Sequence, residues 1–227
     1  MTITRLTQRY ISERPSVRDC LKRGLINYSA LTREICKDAG MARFDAVLIA
    51  CRRYYQRLKD KESFETRVRA LLKTTKMRTR NRIAVAIVEK PRDFERLHRL
   101  QKVVRQERGD FNLIEGDLAV VVITNTEYVE EIREAFKGRI KKLTTDLVQI
   151  SMTFDERLET TPGVVSFIYG LLAEHGINVV EEMSCWTELM LVVAEEDAAR
   201  TIRLLNSISG RETKRALSPR EALEESM

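Results

Sequence analysis

The chain has 227 residues, of which 40 are Lys or Arg and 34 are Asp or Glu, and 43% are hydrophobic. That length allows one large domain or up to three small ones, and the apolar content excludes wholesale disorder. No apolar run approaches the ~20 residues of a membrane helix, and no apolar segment follows the first basic residues as a signal peptide would require. The sequence therefore predicts a soluble, cytoplasmic protein with no membrane partner.

The charge is uneven. Residues 1–82 hold 21 basic and 8 acidic side chains, whereas residues 83–227 hold 19 and 26. A sign change between two parts suggests that they face different partners. Cys20, Cys36, Cys51 and Cys185 form no C-x-x-C pair, and His98 and His175 are the only histidines. A zinc ribbon, a thioredoxin-type site or a histidine-based triad is not signalled. Phosphate-loop and dinucleotide fingerprints are also missing. The expectation is a non-enzyme with no cofactor and no metal.

In chain order, residues 1–60 read as a helical, helix-turn-helix-like domain of four helices. The first, over residues 4–13, turns Ile3, Leu6, Tyr10 and Ile11 to one side. The second begins after Pro15, with Ser16 as its cap, and stops at Gly24. The third, residues 28–37, is capped by Asn27 or Ser29 and is expected to bury Ala30, Leu31 and Ile35. The fourth, residues 43–59, repeats Phe44, Val47, Leu48, Cys51, Tyr54, Tyr55 and Leu58 at helical steps. Two short helices joined by a glycine-containing turn outline a helix-turn-helix. The third helix would then be the recognition helix, presenting Tyr28, Ser29, Thr32, Arg33 and Lys37 to double-stranded DNA. Arg52, Arg53 and Arg57 would suit its phosphates. The same basic set would also serve as a solvated face or pair with an acidic protein surface.

Residues 61–81 read as a basic connector containing a further helix around Phe64, Val68, Leu71 and Leu72. From residue 82 the pattern becomes strand, helix, strand, strand, helix. The strands are Ile83 to Val88, Phe111 to Ile114 and Leu118 to Thr124, and a fourth strand lies near residues 139–143. The order recurs after residue 146, and a shift of 70 residues lays Val120–Thr124 on Met190–Ala194. Repetition at such a period marks duplicated structure. The predicted fold class is α+β: the helical domain, then two ferredoxin-like βαββα units at residues 82–145 and 146–210. The polar tail 211–227 contains a short helix start at Ser218-Pro219-Arg220-Glu221. The second unit shows no fourth strand of its own; it is missing, borrowed, or replaced by the tail.

Two stretches carry a family resemblance. Thr161-Pro162-Gly163-Val164-Val165-Ser166, continuing to Gly176-Ile177-Asn178-Val179, and then Ser184-Cys185-Trp186-Thr187-Glu188, resemble the ACT domain. The first unit shares the topology but has Lys90-Pro91-Arg92 where Pro-Gly would stand. The layout of a basic helical domain before tandem ACT units resembles archaeal ACT-containing regulators of amino-acid metabolism. The resemblance implies a small amino-acid effector and a homodimer. Its effector residues would be Glu159, Thr160, Thr161, Pro162, Gly163, Val164, Asn178, Val179 and Ser184. A helix start after Pro-Gly leaves N–H groups free for a carboxylate, and Glu159 would take the ammonium. The function implied is an amino-acid-responsive, DNA-binding transcriptional regulator, or alternatively an allosteric subunit docking on an amino-acid biosynthetic enzyme.

Overall fold

A computed structural model describes residues 1–60 and 64–209, and the chain divides into two compact units, Met1–Val68 and Arg69–Met227. The helix expected at Ser218-Pro219-Arg220-Glu221 lies outside the described residues. Among the described residues no helix is long and apolar enough to cross a membrane.

The first unit is helical. Helices α1 (Ile3–Ser12), α2 (Pro15–Lys22), α3 (Tyr28–Asp38) and α4 (Phe44–Leu58) follow the sequence periodicity closely. Thr2 Oγ1 accepts from Arg5 N at 3.4 Å to cap α1. Pro15 occupies the first turn of α2, where its missing N–H costs nothing; Arg14, not Ser16, holds the cap position. Asn27 Oδ1 accepts from Ala30 N at 3.0 Å and caps α3. The centrally placed α4 packs on α1, α2 and α3, burying Ile11, Leu21, Leu31, Ile35, Val47, Cys51 and Leu58 together. Helix α3 is rotated relative to the sequence reading: Ala30 is exposed and Thr32 is completely buried. The Thr32 hydroxyl donates to Tyr28 O at 2.7 Å, and a satisfied hydroxyl can be buried at little cost. Helix α5 (Phe64–Thr74) follows.

The second unit contains one six-stranded antiparallel sheet in the order β2-β3-β1-β4-β6-β5. Its strands are β1 (Lys76–Glu89), β2 (Phe111–Glu115), β3 (Ala119–Asn125), β4 (Ile140–Thr153), β5 (Val179–Cys185) and β6 (Glu188–Ala194). Helices α6 (Glu95–Gln106), α7 (Val129–Ala135), α8 (Val164–Glu174) and α9 (Glu195–Ile208) complete two successive β-α-β-β-α stretches.

The two long strands, each of 14 residues, explain how each stretch obtains a fourth strand. Val85 to Val88 of β1 pair with the first half of β4, Ile140 to Thr144, while Lys76 to Arg80 pair with its second half, Gln149 to Thr153. The first half of each strand thus completes the sheet of the other stretch. The fourth strand absent from the end of the second stretch is borrowed from Lys76 to Arg80, inside the segment read as a connector. Arg82 and Asp146, each the seventh residue of its strand, have φ 57° and 56°. The register slips between Arg80 and Ile83, as expected where an extra residue bends a strand.

One face of the first half, with Ala86, Val88, Val120 and Val122, packs with Leu97, Leu100 and Val104 of α6 and Ile132 of α7. In the second half, α9 lies against β4, β6 and α8. On the opposite side Ile83, Val85, Ile123, Leu147 and Val192 form a separate cluster, joined by Ile114 of β2 and Val180 of β5. Those two residues come from the opposite edge strands, so the sheet curls until both edges line one core.

Candidate effector cavity and basic helical face

The loop from β4 to α8 is fixed by its own hydrogen bonds. Asp155 Oδ1 accepts from Arg157 N at 3.0 Å and Nε at 2.9 Å; Oδ2 accepts from Arg157 Nη2 at 2.6 Å and Thr74 Oγ1 at 2.8 Å. The bonds from Arg157, and then from Thr74, hold the Asp155 carboxyl well below the usual carboxylate range. Thr161 Oγ1 donates to Arg157 O at 2.7 Å. Phe154 N donates to Thr187 O at 2.9 Å, tying the loop to the turn between β5 and β6.

This bracing positions Pro162 and Gly163 at the start of α8. Gly163 is the cap residue, with φ 86° in the left-handed region, and no side chain caps the helix behind it. Glycine reaches that conformation without a Cβ clash. The first in-helix bond runs from Phe167 N to Gly163 O at 2.9 Å, which leaves the amides of Val164, Val165 and Ser166 aimed beyond the helix start. An uncapped start of this kind favours an anion.

The helix start, through Gly163, Val164 and Val165, borders a cavity of about 280 Å³ lined also by Phe154, Leu158, Glu159, Thr161, Ser184, Trp186, Glu188 and Leu189. The structure therefore gathers Glu159, Thr161, Gly163, Val164 and Ser184 of the sequence-derived set. Thr160 and Pro162 are exposed residues of the loop itself, outside the lining. Asn178 and Val179 lie elsewhere. They follow the far end of the 11-residue α8, roughly 16 Å from its start at 1.5 Å per residue, so within one chain they do not reach this cavity. Phe154, Leu158, Val165, Trp186, Glu188 and Leu189 complete the wall and lie outside the effector set expected from the sequence. The corresponding loop of the first half, Lys90 to Arg92, borders a wider cleft of about 550 Å³ lined with Arg96 and Arg139 as well.

In the helical unit, the Tyr28 ring stands edge-on to Tyr55, centroids 6.1 Å apart. Burial raises the Tyr28 hydroxyl pKa, Tyr55 adds to the rise and the nearby Arg52 guanidinium opposes it. The start of α3 and the Arg52 flank of α4 are therefore neighbours. Arg33, Lys37, Arg52, Arg53 and Arg57 are all exposed, and none of them makes an ion pair among the described residues. Ser29 is half-buried. Thr32 must be removed from the base-contacting set, because its side chain is inside the core.

No protein-family model matches the chain, and no curated protein matches it. Solved structures do. Clostridium acetobutylicum aspartate kinase matches over 58% of this chain and 34% of its own length, with a TM-score of 0.50 and 12% identity; the chain thus spans about a third of that enzyme. The ligand-free regulatory subunit of aspartate kinase from Thermus thermophilus matches over 58% of this chain and 95% of its own, with a TM-score of 0.46 and 14% identity. The regulatory subunit of the Thermus flavus enzyme matches over 60% and 96%, with a TM-score of 0.46 and 14% identity. At the identity of the Clostridium match, what is shared is the fold: a curled antiparallel sheet with helices.

Proposed function

We propose that this chain is an amino-acid-responsive regulator, its second unit a pair of ACT-type repeats and its helical unit the output module. The observation that carries the reading is the uncapped start of α8 behind left-handed Gly163, opening with Glu159 on one small cavity. These parts complement an α-amino acid: backbone amides for the carboxylate and a carboxylate for the ammonium. The fold shared with an allosteric aspartate kinase is consistent with it. Two copies would pair into a homodimer, the commonest closed assembly.

Double-stranded DNA is the proposed target of the helical unit. Support comes from the exposed residues Arg33 and Lys37 of α3 and Arg52, Arg53 and Arg57 of α4, none of which makes an ion pair among the described residues. Fluorescence anisotropy with genomic DNA fragments between 50 and 200 mM salt tests this. A contact to Z phosphates gives a slope of about −0.9Z in log affinity against log salt. The double variant Arg52→Ala, Arg53→Ala should therefore flatten the slope by about 2 while leaving the fold intact. If the unaltered protein has no DNA affinity at low salt, with or without amino acids, the DNA output is wrong. Co-purification with an amino-acid biosynthetic enzyme would then identify an allosteric docking subunit.

A further inference from the structure

The same cavity says which amino acids it can hold, an inference that rests on the effector reading above. Among the described residues no Lys, Arg or His side chain lines it. Arg157, in the adjoining loop, is already bonded to both oxygens of Asp155. An effector with an anionic side chain would find no cation there.

Two carboxylates, those of Glu159 and Glu188, border the cavity, and Glu188 is turned from its floor. Glu188 Oε1 accepts from Thr153 Oγ1 at 3.4 Å, its directly paired partner across β4 and β6. Neighbours on a strand point to opposite faces, so the side chain on the inner face at this point is Leu189, 2% exposed. Glu159 is exposed and makes no ion pair among the described residues. With Glu188 turned away, the carboxylate of Glu159 matches one ammonium, that of the effector's head group. A second cation, such as a lysine side chain, would be desolvated without a partner.

Apart from the exposed Ser184, what remains is apolar. Phe154, Val164 and Leu189 form a buried floor, Leu158 is half-buried, and Val165 and Trp186 stand exposed at the rim, 44% and 69%. The Thr161 hydroxyl is spent on Arg157 O. We infer that the cavity selects an L-α-amino acid with an uncharged apolar side chain, branched aliphatic or aromatic, over lysine and aspartate.

Trp186 is the only tryptophan in the chain, so its fluorescence reports on this cavity. The test is calorimetric titration of the full chain with all twenty amino acids, with Trp186 emission followed in parallel for leucine, isoleucine, valine, phenylalanine, lysine and aspartate. The expected result is that a member of the apolar group binds at least about tenfold tighter than lysine or aspartate, the scale of discrimination an apolar pocket achieves per methylene, and shifts Trp186 emission. Tightest binding by lysine or aspartate would overturn the inference and leave the effector reading standing. Tight apolar binding that leaves Trp186 unmoved would place the ligand elsewhere and overturn it too. No heat from any of the twenty would remove the effector reading itself. Leu158→Asp should swing preference towards lysine by about tenfold, on the same scale; an unaltered preference contradicts the inference. Should that variant not fold, Leu158→Ala should weaken leucine binding by a similar factor, and undiminished binding would count against it.

Discussion

Two glycines in one stretch of chain should respond to the same substitution with opposite signs. Gly163 caps α8 with φ 86°, whereas Gly170 lies inside α8, with nothing within 4 Å of where a Cβ would stand. At Gly163 an alanine methyl meets the following carbonyl, a cost of roughly 1–2 kcal/mol for a left-handed residue. At Gly170 the methyl meets open space and the unfolded chain loses freedom, a gain of about 0.5–1 kcal/mol. For a chain of this size 1 kcal/mol corresponds to roughly 2–4 °C. Gly163→Ala should therefore lower the midpoint by about 2–8 °C, and Gly170→Ala should raise it by about 1–4 °C. Thermal and urea unfolding, followed by far-ultraviolet circular dichroism, separate these outcomes. If Gly163→Ala is neutral or stabilising, the left-handed cap is wrong, and with it the geometry that frees the α8 amides.

Three further outcomes follow from particular contacts. Leu147, 2% exposed and paired with Ile83 where the sheet bends, should cost roughly 2–5 kcal/mol when cut to alanine, read from the urea midpoint. Asp155 has a lowered pKa in the folded state, so its contribution is full above the unfolded carboxylate value near 3.9 and fades as pH falls through the folded value; Asp155→Asn should lose that part of the acid sensitivity below about pH 4, and an unchanged acid profile would contradict the bonding described. Burial pushes the Cys51 thiol up to about 11 while Cys185 is exposed, so a thiol reagent at pH 8 should label Cys185 first and Cys51 only on unfolding; early labelling of Cys51 would contradict the packing of α4.

Much of the molecule was legible in the chain because its signals are local. The Asn27 cap, the α4 stripe and the β-branched run Ile83 to Val88 each announce themselves through neighbours a few residues away. What escaped was decided at long range. Lys76 to Arg80 looks like a polar linker because its side chains are exposed or half-buried; only its partners in β4, some seventy residues on, make it a strand. Thr32 looks like an outward position from its chemistry, yet its side chain lies inside the core with its hydroxyl bonded to Tyr28 O. The effector set rests on two local motifs, so it includes Asn178, which follows the far end of α8, and omits Phe154 and Trp186. Those two join the cavity through the bond from Phe154 N to Thr187 O, a contact that no spacing encodes.

The central claim is that a small amino acid is held at the start of α8. Its most direct test is an NMR titration of the isotopically labelled full chain with whichever amino acid binds tightest in the calorimetric panel, following the backbone amides of Val164, Val165 and Ser166. The account predicts that these three resonances shift together, saturating at the affinity measured by calorimetry. Saturating shifts elsewhere in the chain, with these three unmoved, would contradict it.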